Sequence, residues 1–364
     1  MKKVRVILAG GFLGAGKTTS VIQLANLLSL KGIKAGIITN DQGNELVDGR
    51  LIKLNGIPGT EVKGGCFCCH FNDFIREINS LIKEYDPDVL IAEPVGSCTD
   101  LVSTVFLPLQ KYYPDNFILG PLSVITDGRL LYQAMSSSNF PFSEEILYLY
   151  WKQIEECNIL LINKTDILKE EEKLWLLKEL NNKYPGTTII PISALNGVGI
   201  EEWIGHLLEG DMDLKPLKVI DYKKYGLAES MLGWYNSCVN IKGKILFDPN
   251  DLVEDILEDI IYSIKKSGGN IAHMKTITET GCGIIKAGIV GIEQKINFTK
   301  IAYDLTRDIS FIINARVEMS PEILKDIINL KIEECCRRKD LEVIYGYEEC
   351  FKPSFPSPTY KGVS

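Results

Sequence analysis

Gly11, Gly16, Lys17 and Thr18 stand in the spacing G-x-x-x-x-G-K-[ST], inside GGFLGAGKTT at residues 10–19. An apolar run, 4–9, precedes them and a helix-like segment, 20–30, follows. A loop of that composition between a strand and a helix binds phosphate. Its glycines let successive backbone N–H groups point inward at phosphate oxygens, and the helix adds the positive end of its dipole. Lys17 then reaches the β- and γ-phosphates, and the Thr18 hydroxyl takes Mg²⁺. The expected nucleotide contacts of this loop are Gly11, Gly14, Ala15, Gly16, Lys17, Thr18 and Thr19.

Asn163-Lys164-Thr165-Asp166 directly follows a second apolar run, 158–162. After a phosphate loop, N-K-x-D at a strand end reads guanine. The Asp166 carboxylate accepts from guanine N1–H and the 2-amino group, and adenine offers neither. A buried carboxylate left unpaired by the wrong base is costly, which gives the selectivity. Lys164 lies along the base plane and Asn163 ties the loop together. Ser193, Ala194 and Leu195, after the run 188–192, close the other side of the base with a backbone N–H.

Glu93-Pro94-Val95-Gly96 follows the run 88–92. Glu93 belongs beside Mg²⁺ and the γ-phosphate. Gly96 lets its N–H approach the γ-phosphate, so the segment can distinguish GTP from GDP. Asp41, after the run 35–39, is a second acid for the Mg²⁺ shell, although an Asp shortly before a glycine is also a common turn former. Lys17, Asp41 and Glu93 form the expected catalytic set.

A different chemistry is written in Gly64-Gly65-Cys66-Phe67-Cys68-Cys69. Three thiols within four residues can converge on one thiophilic cation, Zn²⁺, Cu⁺ or a related ion, as three ligands of a tetrahedral site. Water, His70 or a group from a partner is left for the fourth position. Cys98, two residues past Gly96, reads first as packing, with a further sulfur ligand as the alternative. Cys335 and Cys336 are adjacent on a helical pattern, so their side chains diverge, and they read as packing. With ten cysteines but three histidines, a histidine-rich metal store is excluded.

The elements that must hold these motifs alternate. Apolar runs at 4–9, 35–39, 88–92, 123–126, 158–162 and 188–192 suit parallel strands buried on both faces. Helical patterns lie between them at 18–30, 72–85, 144–156, 170–184 and 200–208. The expected fold class is α/β, a doubly wound, mostly parallel sheet of the P-loop NTPase kind, followed by a smaller α+β ferredoxin-like domain. The expected boundaries are a GTPase domain at 1–210, a linker at 211–228, the α+β domain at 229–350 and a Pro-rich, extended tail at 351–364. At 364 residues the chain exceeds one comfortable core, consistent with two domains. Net charge is −8 with no block of Lys and Arg, which argues against nucleic acid as partner. No apolar run approaches the roughly 20 residues of a membrane span. The short apolar start leads straight into the phosphate loop and reads as a strand, so the expected location is cytoplasmic.

Taken together, GGFLGAGKTT, GGCFCC, EPVG and NKTD resemble the CobW-type metal-homeostasis GTPases, relatives of UreG, HypB and MeaB. The likeness covers residues 1–210 and continues more weakly around ISFIINARVEMSPEIL, where Val317, Glu318, Met319 and Ser320 replace the family's arginine-, proline-, aromatic- and histidine-bearing stretch. The resemblance implies a GTPase, turning GTP into GDP and phosphate with Mg²⁺. Turnover is expected to be slow, because no arginine finger is evident. It also implies a metallochaperone that delivers Zn²⁺ or Co²⁺ from Cys66, Cys68 and Cys69 to a client metalloenzyme or cobalamin-dependent protein. The resemblance leaves room for a homodimer. The alternative is a GTP-gated protein chaperone that activates a corrinoid enzyme and moves no metal. A small-molecule kinase fits the phosphate loop but not N-K-T-D.

Overall fold

The computed structural model describes residues 2–40, 47–136, 140–210, 212, 219–291 and 295–360. Asp41 therefore lies outside the described residues. Two compact units are present. One gathers the described residues of Met1–Gln42, Asp48–Tyr225 and Pro356–Ser364, the other those of Gly43–Val47 and Gly226–Phe355.

In chain order the elements through residue 230 are β1 (Val4–Gly10), α1 (Lys17–Leu30), β2 (Ala35–Asn40), α2 (Val47–Leu54), β3 (Gly59–Val62), α3 (Phe71–Tyr85) and β4 (Val89–Glu93). A π-helical turn, Val102–Phe106, runs into α4 (Leu107–Tyr112), followed by β5 (Phe117–Leu119), β6 (Ser123–Asp127), α5 (Gly128–Met135) and α6 (Glu144–Glu156). Then come β7 (Ile159–Asn163), a 3₁₀ turn (Thr165–Ile167), α7 (Glu170–Lys183), β8 (Thr188–Pro191), α8 (Ile200–Glu209) and α9 (Tyr222–Ser230).

The strands pair in the order β3-β2-β4-β1-β6-β7-β8, with β5 also against β1, and every pairing is parallel. Every residue of β4, β6 and β7 is buried, which is why their sequences are continuous apolar runs rather than alternations. Parallel strands send all their carboxyl ends to one edge, where such sheets bind ligands. Along that edge the chain leaves β3 into the cysteine loop, β2 at Asn40, β4 at Glu93, β1 into the phosphate loop, β7 into N-K-T-D and β8 at Ser193. Only β2 and β4 stand between the strand of the cysteine loop and that of the phosphate loop.

The second unit holds β9 (Leu232–Phe247), α10 (Pro249–Lys266), β10 (Asn270–Thr280), β11 (Gly283–Ile289), β12 (Asn297–Lys300), β13 (Thr306–Glu318), α11 (Pro321–Arg338) and β14 (Leu341–Phe351). Its antiparallel sheet runs β12-β11-β10-β13-β9-β14. Without β11 and β12, this is the ferredoxin-like arrangement, with those two strands extending one edge. The Asp248 carboxylate accepts from the backbone N–H groups of Asn250 and Asp251, and the Ser320 hydroxyl from that of Ile323, each just before a first-turn proline. Cys335 and Cys336 are both fully buried in the core between helices and sheet.

Within 211–228, read from sequence as a linker, residues 222 onward form α9. Its start is capped by Asp221, whose carboxylate accepts from the N–H groups of Lys223 and Lys224 at 2.9 and 3.2 Å. In the stretch read as a tail, Phe351 closes β14, and residues 356–360 belong to the first unit. Among the described residues no helix is long and apolar enough to cross a membrane.

Candidate functional site

The phosphate loop is shaped by three glycines in the left-handed half of backbone space, Gly11, Gly14 and Gly16, with φ of 132°, 72° and 89°. Two of them are also hemmed in. A Cβ on Gly11 would strike the Ile125 carbonyl oxygen of β6, and one on Gly16 would strike the Asn163 amide. Any other residue would clash there and would disfavour the backbone angles that turn N–H groups toward a phosphate chain. Lys17 and Thr18 begin α1 and are buried, and Thr19 follows them. Lys17 Nζ reaches back to the Phe12 carbonyl at 3.4 Å, and the Thr18 hydroxyl donates to Glu93 Oε1 at 2.8 Å. Glu93 ends β4, one strand away from β1, so the sheet itself brings the hydroxyl and the carboxylate together. An alcohol and a carboxylate so paired are the donor set a phosphate-bound Mg²⁺ uses, and they fit that ion.

On the other flank, Asn163 is a three-way tie. Its Nδ2 donates to the Ala15 carbonyl of the phosphate loop at 2.7 Å, and its Oδ1 accepts from the Ala194 N–H at 3.0 Å. The Asp166 carboxylate accepts from the Ser193 hydroxyl at 2.5 Å. Lys164 adopts φ 64° and its Nζ lies 2.8 Å from Asp127 Oδ2. Burial alone would raise the Asp127 pKa, but the cations of Lys164 and Arg129 outweigh it and hold the carboxylate below its usual range. The Ala194 N–H is thus committed to Asn163, and Leu195 beyond it is 52% exposed. Asp127 carries no motif; it is found only because β6 and β7 pair in register at Asp127 and Asn163.

The segment after Glu93 is clamped from α6. Gln153 Nε2 donates to the carbonyls of Gly96 and Cys98 at 2.9 and 2.8 Å. Glu156, one turn later, accepts from the Thr99 hydroxyl and the Leu101 N–H. Burial, and then the neighbouring Asp100 carboxylate, push Glu156 up to about 8. Gly96 lies so close to the lysine that a Cβ there would be 3.0 Å from Lys17 Nζ.

The cysteine loop follows β3 at the same edge. Cys66, Cys68 and Cys69 carry sulfurs that all lie within 4.8 Å of one another. The Cys68–Cys69 separation is 3.8 Å, about the edge of a tetrahedral Zn²⁺ site with Zn–S near 2.3 Å. Cys66 and Cys68 are closer, at 2.7 Å, and must part slightly to share an ion. Hydrogen bonds from Cys68, Cys69 and Cys98 hold the Cys66 thiol well below its usual range, while Cys68, donating to Cys66 in a buried setting, is raised. Cys69 is pushed up to about 11, chiefly by donating to Cys66. Three sulfurs converging in this way are a soft-metal donor set, and they fit Zn²⁺ or Co²⁺. His70 is turned toward Asp73, Nδ1 to Oδ2 3.3 Å, and is not one of the three converging groups.

Two supports of this loop have no motif. Asn40, the last residue of β2, donates to the carbonyls of Val62 and Gly65 at 3.0 and 2.5 Å and accepts from the Phe67 N–H at 2.9 Å. Residues 357–360 lie over the loop. The Ser357 N–H donates to Cys69 Sγ at 3.3 Å, and the Thr359 N–H and hydroxyl donate to the carbonyls of Cys68 and Cys69 at 2.8 and 3.0 Å. The Tyr360 ring packs edge-on to Phe71, 5.1 Å between centroids.

Residues 5–190 match the family described as CobW/HypB/UreG, nucleotide-binding domain. The chain is 32% identical over 168 residues to the zinc chaperone YeiR of Escherichia coli (strain K12), covering 44% of this chain and 47% of that protein. It is 27% identical over 235 residues to zinc-regulated GTPase metalloprotein activator 1 of Dictyostelium discoideum, covering 55% and 49%. It spans about half the length of the curated relatives it matches. Among solved structures, the hydrogenase maturation factor HypB from Archaeoglobus fulgidus aligns over 56% of this chain and 89% of its own, with a TM-score of 0.38 and 18% identity.

Proposed function

The chain belongs to the CobW/HypB/UreG family, and from that premise we propose that it binds and hydrolyses GTP and uses the cycle to hand a divalent metal to a client protein. The names of its relatives, zinc chaperones and a zinc-regulated GTPase, favour Zn²⁺ over Co²⁺ as the cargo. The observation that carries the reading is adjacency: three converging thiols and a phosphate loop leave one edge of one sheet, with two strands between them.

In this reading Asp166 selects guanine, and Asn163 holds that selector against the phosphate loop. Lys17 and the N–H groups of 11–19 neutralise the phosphates. Mg²⁺, when bound, spreads the charge that develops on the transferred phosphoryl group, with Thr18 and Glu93 holding it. Such transfer asks positioning and charge stabilisation of the protein, so the intrinsic rate is slow without an added cation from a partner. Asp41 is proposed as a further acid near the same ion. Triphosphate draws Gly96 toward the γ-phosphate, and its loss lets the segment relax. Whatever that shift does to the sulfurs, zinc must do in reverse to nucleotide affinity.

The test is zinc affinity by chelator competition on the full chain with a non-hydrolysable GTP analogue and with GDP. A several-fold difference, about 1 kcal/mol of coupling, is expected. Equal affinities remove the carrier cycle. A client, corrinoid-linked in the alternative reading, then separates the two. If its activation survives replacement of Cys66, Cys68 and Cys69 by Ser, the protein is a GTP-gated protein chaperone rather than a metal carrier.

A further inference from the structure

Gly96 stands in a turn closed by the Cys98 N–H, which donates to the Val95 carbonyl at 2.9 Å. A peptide unit is planar, with its N–H opposite its C=O. The Val95 carbonyl faces into the turn, so the Gly96 N–H of the same peptide faces out of it. One side chain grips the turn from α6. Gln153 Nε2 donates to the carbonyls of Gly96 and Cys98 at 2.9 and 2.8 Å. Only the nitrogen of an amide has two hydrogens to give, so these two acceptors fix which way the amide points. Gln153 is 2% exposed, and its Oε1 is buried and accepts no hydrogen bond among the described residues. A buried oxygen without a donor is unfavourable, and an apolar side chain of similar length would avoid it. The amide is therefore kept for the two carbonyls it holds.

We infer that Gln153 is a positioning residue for GTP: by holding the turn of residues 95–98 it keeps the Gly96 N–H presented to a γ-phosphate, and so sets the preference for GTP over GDP. The inference rests on the GTPase reading above and names the residue that governs its nucleotide discrimination. Gly96 stands beside the lysine which that reading assigns to the β- and γ-phosphates, since a Cβ there would lie 3.0 Å from Lys17 Nζ. GDP has no group for Gly96 to meet, so only the triphosphate gains from a turn ordered in advance. Glu156, further along α6, separately holds the Thr99 hydroxyl and the Leu101 N–H at 3.1 and 2.8 Å. Loss of the amide thus frees the turn without releasing the rest of the segment.

Gln153→Leu and Gln153→Met, which keep bulk and lose the donors, are compared with wild type on the full chain with Mg²⁺ and without zinc. Asn158→Ala is the control for loss of a buried amide elsewhere. Asn158 Oδ1 accepts from the Leu122 N–H at 2.9 Å, at the end of β7 away from N-K-T-D. The probes are GDP and a non-hydrolysable GTP analogue, by titration, with thermal melting as the check on folding. Both Gln153 variants are expected to bind GDP as wild type does and the GTP analogue about 10-fold or more weakly, the loss of one bond to a charged group. Their kcat/KM for GTP should fall by a like factor. Asn158→Ala should melt lower and keep the wild-type ratio of the two affinities. If the Gln153 variants weaken both nucleotides by one factor, or neither, Gln153 only packs α6 against the turn, and the inference is overturned with the GTPase reading intact. A wild-type chain that binds neither nucleotide overturns both. Should neither variant fold, amide hydrogen exchange of wild type decides. Residues 94–101 and 150–156 protected together more strongly by the GTP analogue than by GDP support the inference, and equal protection by the two nucleotides overturns it.

Discussion

The phosphate loop and the cysteine loop leave the same sheet edge but are supported in opposite ways. The first is shaped chiefly by its own residues, with positive φ at Gly11, Gly14 and Gly16 and an α-helix that starts at Lys17, and has one outside tie, from Asn163 to the Ala15 carbonyl. The second has a positive-φ glycine of its own, Gly64, and a turn closed on the Cys66 carbonyl, but more of its bonds come from residues distant in sequence. Asn40 bonds it from β2, and residues 357–360 cover it. A loop that carries its own geometry can bind the same ligand wherever it is placed. A loop held by several neighbours can be altered by any of them, which suits the uptake and release of an ion proposed for it.

That contrast is broken most directly at Gly11. Gly11→Ala places a side chain at φ 132° against the Ile125 carbonyl. Strain at such a backbone angle and the overpacking together should cost about 2–4 kcal/mol. The expected result is a marked fall in the urea midpoint together with loss of GDP binding. Wild-type stability and GDP affinity in Gly11→Ala would mean the loop is pliant, and the distinction between the two regions would fail.

Asn40→Ala tests the other side. It leaves the Phe67 N–H without its acceptor and frees the Val62 and Gly65 carbonyls, a loss of about 1–3 kcal/mol locally. Zn²⁺ affinity, by chelator competition, should fall about 10–100-fold, as when a supporting residue around a metal site is removed. GDP affinity should stay near wild type, because the phosphate loop does not lean on Asn40. A matched fall in both affinities would show one shared scaffold in place of two.

How much was legible in the sequence follows the same division. The doubly wound sheet could be read because buried parallel strands are written as unbroken apolar runs, and the nucleotide motifs because each is contiguous. Asn163 could be assigned a tying role from its tetrapeptide, but not its bond to the Ala15 carbonyl, which depends on β7 lying two strands from β1. Asn40, Gln153 and Glu156 are single polar residues at ordinary spacings. Only the pairing of β2 with β3 and the packing of α6 bring them to the loops, and no local pattern encodes that. The start of α9 did have a signal, the capping Asp221, set in a polar stretch whose weak periodicity masked it.

The mildest expected effect belongs to residues 356–360. One N–H donates to the Cys69 sulfur and two groups of Thr359 to the loop carbonyls, each bond worth about 1 kcal/mol net. A chain ending at Phe355 loses all of these together with the Tyr360 ring on Phe71. Cys69 is already partly exposed, so its alkylation rate should rise several-fold rather than by orders of magnitude, while Zn²⁺ affinity moves by less than tenfold. Thr359→Val, which removes one hydroxyl bond and keeps the rest, should fall between the shortened chain and wild type. An alkylation rate unchanged in the shortened chain would mean this segment only rests on the loop, and the support from distant residues would reduce to Asn40. A loss of zinc affinity as large as that expected for Asn40→Ala would move it the other way, from a cover to a part of the site.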